Sequence, residues 1–552
     1  MKVEALGSFT APIYVIVIIL TLCFSFEVKA QASAHGNSPA QLHQRILELY
    51  QHGKFKDAIP LAEKLVALTK RARGDERDTA ISLNDLALLY QAMGNYAKAE
   101  PLFKEALVIQ QTALGPEHPT TATILNNLAL LYQAMGNHAK AEPLLEEALA
   151  IRQKVLGREH PDTAASLNNL AALYWEMGAY VKAEPLLKEV LEIQQKVLGL
   201  EHPTTAAVLD NLAVLYRAAG DYAKAEPLIK EALVIRQKVL GREHTDPAKS
   251  LDNLAQLYQA MGNYAKAEAL FREALVIQQK VLGREHPNTA TSLDNLAQLY
   301  QAMGDYTKAE ALFREALVIQ QKVLGREHPN TATSLNGLAL IYYATSDYAK
   351  AEPLLKEAVD TYQKGFGTKN SYTAAGLGSL AMLYEVMGDY AKAEPLLEEA
   401  LEIQQKVLGQ EHPDTATSLD SLAQLYQMIG DYTKAEQLFK EALEIRQKVL
   451  GREHPDTATC LDSLARLYQM RGNYAQAETL SEEALNTYQK VFGRENPCTA
   501  MSLGNLARLY QVRGNYAQAE TLSEEALNTY QKVFGRENPY TAMSLGNLAM
   551  LY

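Results

Sequence analysis

The sequence is short of cysteine, of positive charge and of long hydrophobic runs, and each shortage excludes a class of protein. Only three of the 552 residues are cysteines. One of them, Cys23, falls in an N-terminal apolar stretch, so a disulfide framework is excluded. The formal net charge of −12 leaves no basic footprint for nucleic acid. Beyond the N-terminus there is no apolar run of the roughly 18 residues that a transmembrane helix needs.

Motifs of known chemistry are also absent. The sequence has no phosphate-binding glycine loop, no H-E-x-x-H metal motif and no G-x-S-x-G nucleophile motif. Nothing next to Cys460 or Cys498 marks either residue as a nucleophile. We therefore expect a protein that is not an enzyme and that uses no cofactor.

The N-terminus is typical of an export signal. After Lys2 comes the apolar stretch 13–26, and Val28 and Ala30 stand at the −3 and −1 positions of a cleavage site. This predicts a signal peptide over residues 1–30, a linker over 31–38 and a periplasmic or secreted protein. The alternative is an uncleaved membrane anchor, although a helix of this stretch rises only about 21 Å, short of the roughly 30 Å hydrocarbon core.

Glycine recurs with a period of 42 residues in two ladders. The ladder from Gly94 to Gly514 is broken only by Ser346, and the ladder from Gly115 to Gly535 is unbroken. Between the glycines of each unit lie two apolar patterns of helical spacing. A fixed period of this kind predicts a solenoid in which each helical hairpin packs on the next.

Residues 39–552 are therefore predicted to form an all-α solenoid of antiparallel helix-turn-helix hairpins. It comprises one divergent unit, eleven 42-residue units counted along the ladder from Gly94 to Gly514, and a final half-unit. The half-unit is a first helix without its partner, so we expect Leu545, Leu548 and Tyr552 to be incompletely packed. Because arrays normally close with a polar capping helix, self-association through this uncapped end is a further expectation.

The repeat resembles the tetratricopeptide repeat. The pattern is seen at Asn127-Leu128-Ala129, Tyr132, Gly136, Ala141 and Ala148-Leu149. The 42-residue length and the phrase VLGREHPDTA are similar to the kinesin-light-chain type, which also occurs in bacterial and nephrocystin-like arrays. The resemblance covers 39–552 and implies a right-handed superhelix that binds a protein or extended peptide in its concave groove.

The resemblance also implies which residues line that groove. One asparagine on each first helix would bond the backbone of a bound peptide, at Asn127, Asn169, Asn211, Asn253, Asn295 and Asn505. Near this ladder the groove position changes along the chain from apolar to amide to cationic, at Leu130, Val214, Gln256, Gln298, Arg466 and Arg508, with Trp175 alongside. The first part of the groove is thus predicted to select apolar side chains, and neutral drift between duplicated units is the alternative.

Eight histidines share one repeat position, in the loop before each first helix. They are His118, His160, His202, His244, His286, His328, His412 and His454. Consecutive copies are a whole hairpin apart, roughly 10 Å, whereas the ligands of one metal converge at about 2 Å. We interpret these histidines as loop caps, a role that Asn496 and Asn538 can also fill, and predict no metal site.

Three functions remain open for such a chain. The first is a scaffold for a protein or peptide partner, with no nucleic acid and with membrane contact only through an uncleaved N-terminal segment. The second is the repeat arm of a larger exported enzyme or signalling protein, for example one with a caspase-like peptidase domain. The third is an architectural spacer. The change of the groove position from apolar to amide to cationic along the chain favours the scaffold function.

Overall fold

The structure is a computed structural model that describes residues 38–72 and 76–552. Within those residues it contains 25 α-helices and no β-strand, so the predicted all-α solenoid is confirmed. The predicted signal peptide, and the linker apart from Ser38, lie outside the described residues. No helix of the described part is both long enough and apolar enough to cross a bilayer.

The helices alternate between the first and the second helix of each hairpin. The first helices are α1 (Pro39–Gln51), α3 (Glu76–Ala92), α5 (Pro119–Ala134), α7 (Pro161–Glu176), α9 (Pro203–Ala218), α11 (Thr245–Ala260), α13 (Pro287–Ala302), α15 (Pro329–Ala344), α17 (Ser371–Val386), α19 (Pro413–Ile429), α21 (Pro455–Met470), α23 (Pro497–Val512) and α25 (Pro539–Ala549). The second helices are α2 (Phe55–Arg71), α4 (Tyr96–Leu114), α6 (His138–Val155), α8 (Tyr180–Val197), α10 (Tyr222–Leu240), α12 (Tyr264–Val281), α14 (Tyr306–Val323), α16 (Tyr348–Phe366), α18 (Tyr390–Val407), α20 (Tyr432–Val449), α22 (Tyr474–Phe492) and α24 (Tyr516–Phe534).

Histidine and proline begin most of the first helices. His160 is the N-cap of α7, where its Nδ1 accepts a hydrogen bond from the backbone N–H of Asp162 at 3.1 Å. Pro161 follows in the first turn, where the missing N–H is not needed. Asn496 caps α23 in the same way, because its Oδ1 accepts from the N–H of Cys498 at 2.8 Å. The predicted capping role of the repeated histidines is confirmed.

Two alanine ladders set the spacing between the helices. Ala129 and Ala171 on first helices, like Ala141 and Ala183 on second helices, have no exposed surface. A methyl group at each position lets the helix backbones approach closely and fill the interior without voids. Because the same positions recur in each unit, every hairpin stacks on the next with nearly the same geometry.

From α3 onward, tyrosine near the end of the first helices ties these helices to the preceding hairpin. The Tyr132 hydroxyl donates to Glu100 Oε1 at 2.9 Å, and the Tyr216 hydroxyl donates to Glu184 Oε1 at 2.9 Å. Both acceptors lie 32 residues earlier, on the second helix of the previous unit. Neighbouring hairpins are therefore held together by a tyrosine–glutamate hydrogen bond as well as by apolar packing.

Successive turns of the superhelix are in contact. His328 Nε2 donates to the carbonyl oxygen of Ala92 at 3.2 Å, and His412 Nε2 donates to that of Glu176 at 2.8 Å. The residues of each pair are 236 positions apart. One superhelical turn therefore takes between five and six units of the 42-residue repeat.

Glycine makes this contact possible. Gly94 lies between α3 and α4 with a φ of 68°, and a Cβ added there would come within 2.7 Å of the Pro329 ring. A side chain at this position would be strained by the left-handed backbone and would also collide with the next turn. The rings of Tyr96 and Phe366 stack across the same boundary with centroids 5.6 Å apart.

The final first helix, α25, is poorly covered. Leu545 is 54% exposed and Tyr552 is 84% exposed, and Leu548 is half-buried. The expectation that these three side chains are incompletely packed is confirmed.

The contact between turns changes the protonation of its histidines. Burial lowers the pKa of His328 to about 4, and nearby Lys56 acts in the same direction. Burial also lowers the pKa of His412 and His454, although the neighbouring carboxylates oppose it. Each of these rings accepts a hydrogen bond at Nδ1 and donates one at Nε2. A second proton on the ring would remove the acceptor that caps the helix.

We predict that acid opens the turns without melting the helices. These histidines have a pKa below the unfolded value of about 6.5, so a released turn binds more protons and the contact weakens as pH falls from about 6.5 toward 4. The radius of gyration from small-angle X-ray scattering should rise over that range while the helical circular dichroism signal persists.

The matched control is the triple variant His328→Asn, His412→Asn and His454→Asn. Asparagine makes the same cap and the same contact at Asn496 but does not titrate. This variant should expand less than the wild type, and an equal expansion of both proteins would contradict the assignment.

Candidate functional site

A cavity of about 140 Å³ opens on the face formed by four successive first helices, α7, α9, α11 and α13. Most of its walls come from these helices, and Leu187, Arg236 and Gln278 reach it from the second helices. A concave site that spans several repeats is where an extended ligand would lie. This cavity is therefore the candidate site.

Six of the predicted groove residues line this cavity. They are Trp175, Asn211, Val214, Asn253, Gln256 and Asn295. The structure thus brings together the middle part of the predicted groove, including its only tryptophan. Ala172, at the same repeat position as Val214, lines the cavity too.

The other predicted groove residues lie outside the cavity. Leu130 and the asparagines Asn127 and Asn169 are buried, at 4%, 8% and 6% exposure. Further along the chain, Arg466 donates to Ser463 Oγ at 3.3 Å and Asn505 donates to Asp462 at 3.5 Å. Gln298 and Arg508 are half-buried on α13 and α23.

The asparagine ladder is engaged within the array. The Nδ2 groups of Asn127, Asn169 and Asn211 each donate to an asparagine Oδ1 one unit earlier, at 2.9, 2.9 and 2.8 Å. Asn253 makes the corresponding hydrogen bond to Asp210. A ligand that uses these amides must share or replace bonds that hold neighbouring first helices together. Peptide binding by the ladder stays a prediction.

Buried aspartates recur below the groove, and most have a donor on a second helix. Asp210 pairs with Arg236 and accepts from Ser250 Oγ at 2.9 Å. Asp294 accepts from Gln320 Nε2 at 2.8 Å and from Ser334 Oγ at 2.8 Å. These partners offset the burial of each carboxylate, as buried charge requires, although the Oδ1 of Asp210 accepts no hydrogen bond.

Asp252 lines the cavity and accepts no hydrogen bond from a second helix of the described chain. Its Oδ1 is buried without a hydrogen-bond partner, and its Oδ2 accepts only a long bond of 3.5 Å from Ser292. Gln278 occupies the same repeat position as Gln320, which donates a hydrogen bond to Asp294. The Oε1 of Gln278 is also buried without a hydrogen-bond partner. Burial raises the pKa of Asp252 to about 7. The cavity therefore contains an acidic group that a donor or a cation from outside could satisfy.

Sequence reasoning missed Asp252 and the polar residues around it, among them Lys249 and Asn288. The sequence does contain a signal, because Asp recurs next to the asparagine ladder at Asp210 and Asp252. Whether such an aspartate has a hydrogen-bond partner depends on how the side chain 26 residues later, on the second helix, is oriented. That geometry is not visible in the repeat pattern.

The described residues contain no group of three or more His, Cys, Asp or Glu side chains arranged to hold a metal ion. The repeated histidines cap helices, and their Nε2 atoms serve the contact between turns where a turn lies beneath them. Cys460 is fully buried and bonds to Arg446 and Asp420.

Comparison with known proteins gives a consistent family match. The tetratricopeptide repeat model matches eleven segments: 42–112, 78–154, 120–196, 162–238, 204–277, 246–317, 294–364, 372–448, 422–490, 464–521 and 498–552. No curated protein matches the sequence.

Solved structures of related arrays are also similar. A Podosopora anserina protein with nearly identical TPR-like repeats, named for kinesin light chain, is 35% identical over 38% of this chain and 98% of its own, with a TM-score of 0.33. A single-residue variant of that protein is 35% identical over 37% and 97%, with a TM-score of 0.33. BtubC from P. vanneervenii is 29% identical over 44% and 92%, with a TM-score of 0.34.

We predict that Asp252→Asn stabilises the protein at alkaline pH. Because the folded pKa of about 7 lies above the unfolded value of about 3.9, the destabilisation by Asp252 develops as pH rises between these values. The variant should melt at a higher temperature than the wild type at pH 8, and at nearly the same temperature near pH 4.

The control is Asp294→Asn, which removes a carboxylate with a pKa also raised by burial to about 7. This carboxylate accepts hydrogen bonds from Ser334 and Gln320, so its replacement should give a smaller gain or a loss. Identical shifts in the two variants would show that the missing partner of Asp252 is not the cause.

Proposed function

Because the chain belongs to the tetratricopeptide repeat family, whose members generally act as protein-interaction scaffolds, we propose that it is an exported scaffold that binds an extended segment of another polypeptide. The observation that carries this proposal is the cavity across α7, α9, α11 and α13, which gathers six groove residues. The proposal contains no catalytic step.

The cavity suits a peptide with one basic and one apolar side chain. Asp252 offers a buried carboxylate oxygen without a partner, which a lysine or arginine side chain would satisfy with a charge-assisted hydrogen bond. Trp175, Val214 and Ala172 offer apolar surface in the same cavity. The asparagines and Gln256 supply amides for the backbone between these two anchors.

We predict that the mature protein selects basic residues from an array of extended peptides and that Asp252→Asn removes this selection. A hydrogen bond to a charged group contributes about 1.5–3 kcal/mol, so affinity for the best basic peptide should fall roughly tenfold to a hundredfold. Affinity for the same peptide should rise with pH across about 7, because Asp252 must be ionised. Fluorescence anisotropy with labelled peptides measures both effects.

Two further variants make the test specific. Asp294→Asn, one unit along the chain and outside the cavity lining, should leave affinity unchanged. Trp175→Ala should weaken peptides with an apolar anchor and spare the basic preference. No peptide selection, or equal affinity in wild type and Asp252→Asn, would contradict the proposed site.

Export is a separate part of the proposal, supported by the apolar stretch 13–26 and by Val28 and Ala30. Expressed with its full N-terminus in a bacterial host, the protein should be recovered outside the cytoplasm with Gln31 as its first residue. Intact mass spectrometry of the purified protein measures this. A membrane-bound product that retains 1–30 would support the anchor instead.

A further inference from the structure

One repeat position on the second helices supplies the side chains that meet the buried aspartates of the first helices. It holds glutamine, arginine or tyrosine and never lysine, at Gln110, Arg152, Gln194, Arg236, Gln278, Gln320, Tyr362, Gln404, Arg446, Tyr488 and Tyr530. Where this arginine has an aspartate 26 residues before it, the two form a buried ion pair, Arg236 with Asp210 and Arg446 with Asp420. The cation that this array uses to bury a carboxylate is therefore a guanidinium.

The pair of Arg236 and Asp210 shows the geometry of such a guanidinium. Its Nη1 contacts the carboxylate and also donates to Ser250 Oγ at 2.6 Å and to the carbonyl oxygen of Asp246 at 3.3 Å. Ser250 in turn donates to Asp210 Oδ2 at 2.9 Å. One arginine thus joins two neighbouring first helices, α9 and α11, from the second helix between them.

The next unit has the same acceptors without the arginine. Asp252 and Ser292 occupy the repeat positions of the aspartate and the serine, and Gln278 occupies that of the arginine. Ser292 donates to Asp252 only at 3.5 Å, and Asp252 Oδ1 and Gln278 Oε1 are both buried without a hydrogen-bond partner. All three residues line the cavity, so the gap is open to a ligand. We call Asp252, Gln278 and Ser292 the guanidinium site.

The charged groups nearby are already paired. Lys249 lines the same cavity, but its Nζ contacts Asp246 at 2.9 Å. The neighbouring aspartate that also has a glutamine at the arginine position, Asp294, accepts a hydrogen bond from Gln320 at 2.8 Å and does not line the cavity. The guanidinium site therefore combines a carboxylate that lacks a strong donor with access from the groove.

We propose that the ligand places an arginine side chain in the guanidinium site, where it takes the role that Arg236 has for Asp210. This inference rests on the proposed function, because it names the side chain that the groove selects. One guanidinium nitrogen donates to Asp252 and another donates to Gln278 Oε1. A lysine ammonium has a single nitrogen and is more strongly hydrated, so its burial costs more.

The first test supplies the guanidinium from within the chain. Gln278→Arg should pair with Asp252 as Arg236 pairs with Asp210, and it should raise the melting temperature at pH 8 above that of the wild type. It should also block the site against a ligand. The control is Gln320→Arg, which lies outside the cavity lining and should leave ligand binding unchanged. Circular dichroism verifies that both variants are helical.

The second test uses three small probes, the N-acetyl amides of arginine, lysine and citrulline, and saturation-transfer NMR. Citrulline has nearly the shape of arginine without its charge. The wild type should bind the arginine probe roughly tenfold more tightly than the lysine probe, because arginine makes one more charge-assisted hydrogen bond. The citrulline probe should bind most weakly. Gln278→Arg and Asp252→Asn should both lose the binding of the arginine probe.

The outcomes separate this inference from the proposed function. A wild type that does not bind the arginine probe, equal binding of arginine and lysine, or an arginine probe that still binds Gln278→Arg would each overturn the guanidinium site. Selection of peptides by the groove would survive any of these results. An arginine probe that binds the wild type but not Gln278→Arg, with no peptide selected from the array, would support the site and contradict the scaffold.

Discussion

The architecture depends on the close approach of helices at the buried alanines. Ala129, Ala141, Ala171 and Ala183 have no exposed surface, so the distance between neighbouring helices is fixed by methyl groups that cannot adapt. Each unit is consequently rotated against the previous one by nearly the same amount. A small rotation repeated without variation accumulates, and after five to six units it brings one turn onto the previous turn. Larger residues at these positions would change the pitch and separate the turns.

Contact between turns has consequences for binding. Because touching turns close the gaps between them, we expect the inner face of such a superhelix to be reached along its axis, which favours the proposed extended ligand over a folded domain. The contact also covers the histidine caps of the second turn, which lowers the pKa of His412 and His454. The groups expected to loosen the turns and the residues proposed to bind a ligand lie apart. The histidine caps lie in the loops before the first helices, whereas the proposed binding residues lie on the first helices around Trp175 and Asp252.

Much of the fold is readable in the sequence because it is local. The spacing of apolar residues predicts a helix over 162–177, and α7 spans Pro161–Glu176. Histidine caps are local as well, since each bond joins residues two positions apart. The contact between His412 and Glu176 could not be predicted in this way, because it depends on the accumulated rotation of the intervening units.

The candidate site was predictable only in part. The repeat pattern identified Trp175, Val214 and Gln256, because a position that varies among near-identical units stands out. It did not reveal that Asn169 bonds to Asn126, since either a ligand or a neighbour can satisfy an amide. It also did not reveal that Asp252 Oδ1 has no hydrogen-bond partner, because Gln278 has the same identity as Gln320, which donates to Asp294.

A distance measurement tests the contact between turns directly. Lys56 Nζ lies 3.7 Å from the position of a Cβ on Gly325, although the two residues belong to different turns. Nitroxide labels on cysteines at Lys56 and Arg326, with Cys460→Ser and Cys498→Tyr to remove the native thiols of the chain from Gln31 onward, report this separation by double electron–electron resonance. Touching turns should give one narrow, short distance at neutral pH. A broad distribution beyond the combined reach of the two labels would contradict it.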